Sequence, residues 1–363
     1  MERIIFSRNK ITQNVIIISF VIAIMYLARF ILVPLAFSML LSMLLYPACD
    51  LLERKLPRIV SISIILLIVI LLISGIFYFF GTKFYHLFEK IKGFEENILT
   101  SINKFMQILE NKIFSNNLEI QEMFKSRSKS YLGSSNFIES TILTSTSLIS
   151  SLVLIFVYTF LFLLYRTSFK KLILYHFPED KISYASDLLK KIRKVAQNYF
   201  FGLAIIILLL GTLNGLGLWI IGLDYPFLFG YFAAMLAIIP YIGTFIGGLL
   251  PVLYALVNHD NIWTAVFVLG WYSLVQTIEG NFLTPKIVGS KVSLNPLIAI
   301  LALIAGGLIW GIAGVILFIP LMAIVKVIFD NVDSLKPYGL MLGSDFYREK
   351  IPLSGNRKSD KKE

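Results

Sequence analysis

From residue 59 to residue 80 the chain carries no charged side chain, and the same holds for residues 199–221, 226–257 and 296–325. A helix rises about 1.5 Å per residue and a bilayer's hydrocarbon core is about 30 Å thick, so about 20 apolar residues cross it. In lipid every backbone N–H and C=O must be satisfied within the protein, which a continuous helix does. Composition agrees: 57% of the residues are hydrophobic and 15% charged, against about 25% charged in soluble domains. The expected fold class is all-α, a polytopic membrane helical bundle of about 7–8 transmembrane helices.

The net charge of +11 is then the excess of Lys and Arg found in cytoplasmic loops, and nucleic acid is not an expected partner. The single cysteine, Cys49, forbids an intramolecular disulfide and a cysteine-cluster metal site.

Residues 1–82 read as N-terminal transmembrane helices. Arg3, Arg8 and Lys10 precede an apolar run over 15–28 without a small-residue cleavage site after it, so a spanning segment is expected rather than a signal peptide. Arg29 and Pro34 interrupt the run, which resumes over 30–46. A tight helical hairpin with both ends in the cytoplasm is expected, since Arg54, Lys55 and Arg58 follow on the returning side. Residues 83–140 read as a small helical extracytoplasmic insertion, with Phe84, Leu87, Phe88 and Ile91 at helical steps. Residues 141–198 hold a span over 148–165 and a basic stretch, eight Lys/Arg against three acids between Arg166 and Asn198. Within it Ala185, Leu188, Ile192, Val195 and Tyr199 mark one face of an amphipathic helix, a type that lies on an anionic leaflet.

Residues 199–330 read as the transport core and 331–363 as a cytoplasmic tail. In the span over 199–221, Gly202, Gly211, Gly215 and Gly217 allow close helix approach, and Asn214 is read as a packing residue. Two later segments share a plan. Residues 226–257 break at Pro240 and Gly243, carry Gly247 and Gly248 and meet Pro251. Residues 296–327 open on Pro296, break at Gly306 and Gly307, add Gly311 and Gly314 and meet Pro320. Proline removes a backbone donor, and paired interrupted segments point to a site built from discontinuous helices. Each is too long for one straight span and short for two, so re-entrant hairpins and short helix pairs both remain open.

Chemistry narrows from there. His86, His176 and His259 stand outside the apolar runs and in no metal-binding spacing, and neither a nucleophile elbow nor a phosphate loop occurs. No enzyme activity, metal or cofactor is expected. Glu279 follows an apolar run over 262–275, and an ionisable residue within or just beyond a span is a functional candidate by default; the alternatives are a solvated helix-end glutamate and a pair with Lys286. Gln276 shares its helical face, and Asn281 adds a further amide. Tyr241 and Thr244 place hydroxyls in the first break, while Pro285 and Gly289 shape the loop beyond Glu279.

These motifs together resemble a known family. P-Y-I-G-x-x-I-G-G from Pro240 to Gly248, Q-x-x-E-x-N-x-L-x-P-x-I-x-G from Gln276 to Gly289, V-x-L-x-P ending at Pro296, and G-G-x-x-x-G-x-x-G from Gly306 to Gly314 are similar to those of the autoinducer-2 exporter-like permeases. The likeness reaches from the first apolar run to about residue 331. It implies a multi-pass protein of a bacterial inner membrane, both termini cytoplasmic, without ATP hydrolysis and assembled as a homo-oligomer, with a pentamer as the family expectation.

The function expected is export of a small hydrophilic, autoinducer-2-like solute by secondary or facilitated transport, with protons or sodium as candidate coupling ions and membrane lipids as surroundings. A monovalent cation/proton antiporter using the same carboxylate is the alternative. A non-transporting membrane scaffold is the third reading.

Overall fold

The computed structural model describes residues 8–90, 136–239, 242–259, 261–284, 286–287 and 294–343. Twelve α-helices run through them: α1 (Arg8–Leu27), α2 (Arg29–Glu53), α3 (Arg58–Lys90), α4 (Asn136–Leu164), α5 (Arg166–Tyr175), α6 (Ile182–Ile221), α7 (Pro226–Leu236), α8 (Ile242–Asn258), α9 (Ile262–Ile278), α10 (Pro296–Trp310), α11 (Ile312–Asn331) and α12 (Lys336–Leu342). Among the described residues the one extended pairing is an isolated antiparallel bridge between Leu294 and Gly343. Four helices are long and apolar enough to cross a membrane, or five if the bent α4–α5 pair is one span, and four shorter apolar helices accompany them. Most of the expected insertion, residues 91–135, lies outside the described residues.

The bundle is built around α6. At 40 residues it is about 60 Å long, and three apolar clusters lie along it. Ile192 and Ala196 pack with Ala36 and Leu40 of α2 and Leu317 and Ile324 of α11. Tyr199, Ile206 and Leu210 meet Ala234 of α7, Val275 of α9 and Ala323 of α11. Leu218 joins Phe229, Tyr254 and Val268 near the far end. A fourth cluster of Cys49, Ile62, Leu66 and Leu163 ties α2, α3 and α4. The outer surface is apolar instead of polar: Phe77, Leu71, Leu208 and Leu308 are all exposed, as expected where lipid replaces water around the bundle.

Two expectations are corrected here. The hairpin predicted for the N-terminus is not formed. Ala28 donates to Ile24 O and Leu32 to Ala28 O, so helical bonding runs up to the break and resumes at once, and α1 and α2 scarcely pack on each other. The amphipathic stretch of α6 does not lay its apolar face on a membrane surface either, although its lysines Lys190, Lys191 and Lys194 are exposed. Its apolar stripe is covered by α2 and α11, Gln197 donates to Met43 O and Lys191 to Asn331 Oδ1. It is α5, bent by 63° from α4, that exposes Leu172, Ile173 and Tyr175 beside its lysines.

The two interrupted segments fold as helical hairpins. α6 stops at Gly222, whose left-handed φ of 88° lets Leu223 N–H reach back to Leu218 O. α7 then returns along α6, with Gly230 against the backbone of Gly211 and Gly215. After a turn beginning at Ala237, α8 runs back, and Gly243 and Gly247 meet the backbone of Leu236 and Ala233. The second hairpin turns on Gly311, at φ 62° and ψ −142°, a conformation open essentially to glycine. The expected break at Gly306 and Gly307 is therefore displaced: both lie within α10, and Gly306 serves instead as the surface on which Gly314 of α11 packs.

The hairpins enter from opposite ends. α11 finishes beside the start of α6, where Tyr184 Oη donates to Asn331 O. Asn295, at the head of α10, is held there too, its N–H donating to Leu342 O. The α7–α8 hairpin instead begins and finishes at the end where α6 stops.

Candidate functional site

α9 begins cleanly, with the Asn261 side chain capping Trp263 N–H at 3.0 Å. Its regular winding fails after Ile278, where Glu279–Leu283 form one turn of π-helix. Thr284 N–H donates to Glu279 O, five residues back, and the next residue in the chain is Pro285, which has no N–H to give. Such wide turns inside helices frequently mark functional positions.

The wide turn completes a cluster. Gln276, three residues before Glu279 on the same face, donates from Nε2 to Glu279 Oε2 at 2.8 Å. Thr284 Oγ1 donates to Glu279 Oε1 at 3.2 Å, and five residues is a spacing that only the π turn brings face to face. Both carboxylate oxygens thus have neutral donors. Asn281, expected as part of this group, is not brought into it: its Nδ2 donates to Thr277 O at 2.9 Å and its side chain is exposed.

Across from the cluster stands a residue read from sequence as packing. Asn214, in the last quarter of α6, is 5% exposed, and its Oδ1 is buried without a hydrogen-bond partner. A buried amide oxygen left unpaired costs about 1–3 kcal/mol, so this position needs a reason beyond packing. Asn214, Thr244, Gln276 and Glu279 line one narrow crevice between α6, α8 and the end of α9, which Ala233 and Ala234 of α7 and Ala237 just beyond it also line. Thr244, Tyr272 and Gln276 also line a groove of about 340 Å³ between α8 and α9, together with Ser273 and Gly248. Groove and crevice therefore adjoin. At Gly248, which lines the groove, a Cβ would lie 3.2 Å from the Tyr272 ring, so glycine allows α8 and α9 to approach closely there.

The sequence-predicted residues divide accordingly. Gln276, Glu279 and Thr244 are brought together, and Gly243, Gly247 and Gly248 shape the hairpin beside them. Gly306, Gly311 and Gly314 form the second hairpin, with Pro296 in the first turn of α10. Pro251 is buried within α8. Pro240, Tyr241, Pro285 and Gly289 lie outside the described residues. Sequence reasoning missed Thr284, whose offset matches no α-helical face, and set Asn214 aside. Among the described residues no three His, Cys, Asp or Glu side chains gather as a metal site would need.

Comparison with known proteins places this architecture. YueF, named as a transport protein of Bacillus subtilis, is 29% identical over 82% of this chain and 84% of its own. A second transport protein of that bacterium, YrrI, is 34% identical over a match that spans 44% of each chain, less than half of either. TqsA of Escherichia coli, named an AI-2 transport protein, is 23% identical over 88% of this chain and 91% of its own. The model of the AI-2E transporter family matches residues 15–334, which takes in α2 to α11, both hairpins and the Gln276–Glu279–Thr284 turn. A multi-pass membrane permease with broken helices, the chain belongs to the AI-2E family of transporters.

Proposed function

We propose that this permease exports a small hydrophilic solute, similar in kind to the AI-2 named for TqsA, by secondary or facilitated transport. The observation that carries the reading is the Gln276–Glu279–Thr284 cluster, two of whose members, Gln276 and Glu279, share a narrow crevice with the buried Asn214. It gives a polyhydroxylated solute donors and acceptors in an apolar surrounding, where each hydrogen bond is worth more than in water. The groove between α8 and α9 forms the approach and the crevice under the α7–α8 hairpin the constriction. Glu279 carries the proton if transport is coupled. The protein sits in a bacterial inner membrane with both termini cytoplasmic and works as a homo-oligomer, a pentamer by family resemblance.

Reconstituted protein loaded with autoinducer-2 in proteoliposomes tests this. Efflux by the wild type that is lost in Glu279→Gln is the expected result; efflux unchanged in that variant across an imposed pH gradient removes Glu279 from the coupling role. A second reading, monovalent cation/proton antiport, draws on the same oxygens: a carboxylate and an unpaired amide carbonyl are hard ligands suited to such a cation. A sodium-triggered proton signal without solute flux would make it the better account.

A further inference from the structure

A second cavity, distant in sequence from the crevice, lies where α4 bends into α5. It measures about 580 Å³, opens to the outside, and is bordered by α2, α4, α5 and α6. Its lining mixes two kinds of side chain, apolar ones including Met39, Met43, Phe162 and Ile173, and cationic ones, Arg166, Lys170, Lys190 and Arg193. Tyr46 stands between two of the guanidinium groups, its ring centroid 3.6 Å from Arg193 Cζ and 4.6 Å from Arg166 Cζ.

The cations are unequally compensated. Lys190 is paired with Asp187 at 2.9 Å, and Arg166 with Glu53 at 2.6 Å. Asp50 is 4.0 Å from Arg166. Even so, Arg166 Nη1 is buried without a hydrogen-bond partner. Lys170 and Arg193 are in no ion pair among the described residues. The cavity thus holds Lys170 and Arg193 outside any ion pair among the described residues, an excess of positive charge that asks for an anion with several acceptor oxygens.

Its place in the fold decides what kind of anion. The apolar run of α4 ends at Tyr165, the chain bends by 63°, and α5 exposes Leu172, Ile173 and Tyr175 beside Lys170 and Lys171. That is the layout of a helix lying at a membrane–water boundary. A free phosphate would use only the cationic side chains. A phospholipid uses both kinds, and basic pockets between spanning helices are sites where anionic headgroups bind.

We propose that this cavity binds one anionic phospholipid, its phosphate among Arg166, Lys170 and Arg193 and an acyl chain along Met39, Met43 and Phe162. The bound lipid would brace α5 against α2 and α6.

The test uses the full-length protein in a neutral detergent and follows its thermal unfolding midpoint with dioctanoyl phosphatidylglycerol, dioctanoyl phosphatidylcholine or sodium phosphate. Phosphatidylglycerol is expected to raise the midpoint saturably, well beyond the other two. Lys170→Gln and Arg193→Gln should each weaken its apparent affinity about five-fold. Lys170 is exposed and outside the ion pairs, so its variant folds as the wild type does and keeps the test informative even if Arg193→Gln is unstable. Equal stabilisation by phosphatidylcholine, equal stabilisation by phosphate alone, or unchanged phosphatidylglycerol affinity in Lys170→Gln would each overturn the assignment.

Discussion

At the scale of single residues, the site turns on two oxygen-bearing side chains in different states of satisfaction. Glu279 has a neutral donor on each oxygen, whereas Asn214 Oδ1 has none. A hydrogen bond to a charged group contributes about 1.5–3 kcal/mol, so Thr284→Val should lower transport about tenfold or more while Thr284→Ser restores it, measured as initial efflux from proteoliposomes. Asn214→Ala removes an unpaired polar group and should shift the thermal midpoint by only a few degrees; if Asn214 contacts solute, efflux falls all the same. Glu279 and Gln276 were legible in the sequence because a three-residue step on a helix is a shared face. Thr284 was not, since a five-residue step has meaning only in a winding that sequence periodicity does not announce. Asn214 was visible as a polar residue in an apolar run, but its facing partners stand on α8 and α9, and that meeting belongs to tertiary structure.

Elements show the same division between local and non-local causes. The π turn is one extra residue accommodated in a helix. Gly280 lies within it, and a Cβ added there would meet nothing within 4 Å. Gly280→Ala should therefore be tolerated, with transport and helix content held. Circular dichroism would report the retained helix and efflux the retained activity. In the second hairpin, a Cβ on Gly314 would collide with Gly306 O, a backbone atom that cannot rotate away. Gly314→Ala should therefore cost about 1–3 kcal/mol by overpacking, outweighing a gain of up to about 1 kcal/mol in helix propensity. Gly270, in α9 with open space around it, supplies the control, since Gly270→Ala should hold or raise the midpoint. The pair Gly306 and Gly307 read as a break because glycine is a poor helix former. It is helical because what glycine supplies there is proximity to α11, while the reversal itself falls to Gly311 and its positive φ.

For the whole molecule, the class of fold was open to reading from the apolar runs alone, since their length and freedom from charge leave little but a helical membrane bundle. Their arrangement was less open: the hairpin expected at the N-terminus gave way to a short break with helical bonding on both sides, and the basic stretch became the base of the central helix. The bundle's own cysteine offers a probe of its integrity. Cys49 is fully buried where α2, α3 and α4 meet, so a membrane-impermeant maleimide should leave the native protein unlabelled and modify it only on global unfolding, with labelling and loss of helical signal sharing one midpoint.

The opposed hairpins have an electrical meaning. α7 and α10, with 11 and 15 residues, reach only about 16 and 22 Å, short of a hydrocarbon core about 30 Å thick. If solute passes beside the α7–α8 hairpin as proposed, the insulating layer along its route would be thinner than the membrane around it. The resting potential, worth about 2.3 kcal/mol per elementary charge for each 100 mV, would then fall across that septum and not along the full length of the protein. A proton stepping on or off a carboxylate beside it would traverse much of the voltage in a movement of a few ångströms, which makes membrane potential, as well as a pH gradient, a force that a coupled carrier of this shape is built to feel.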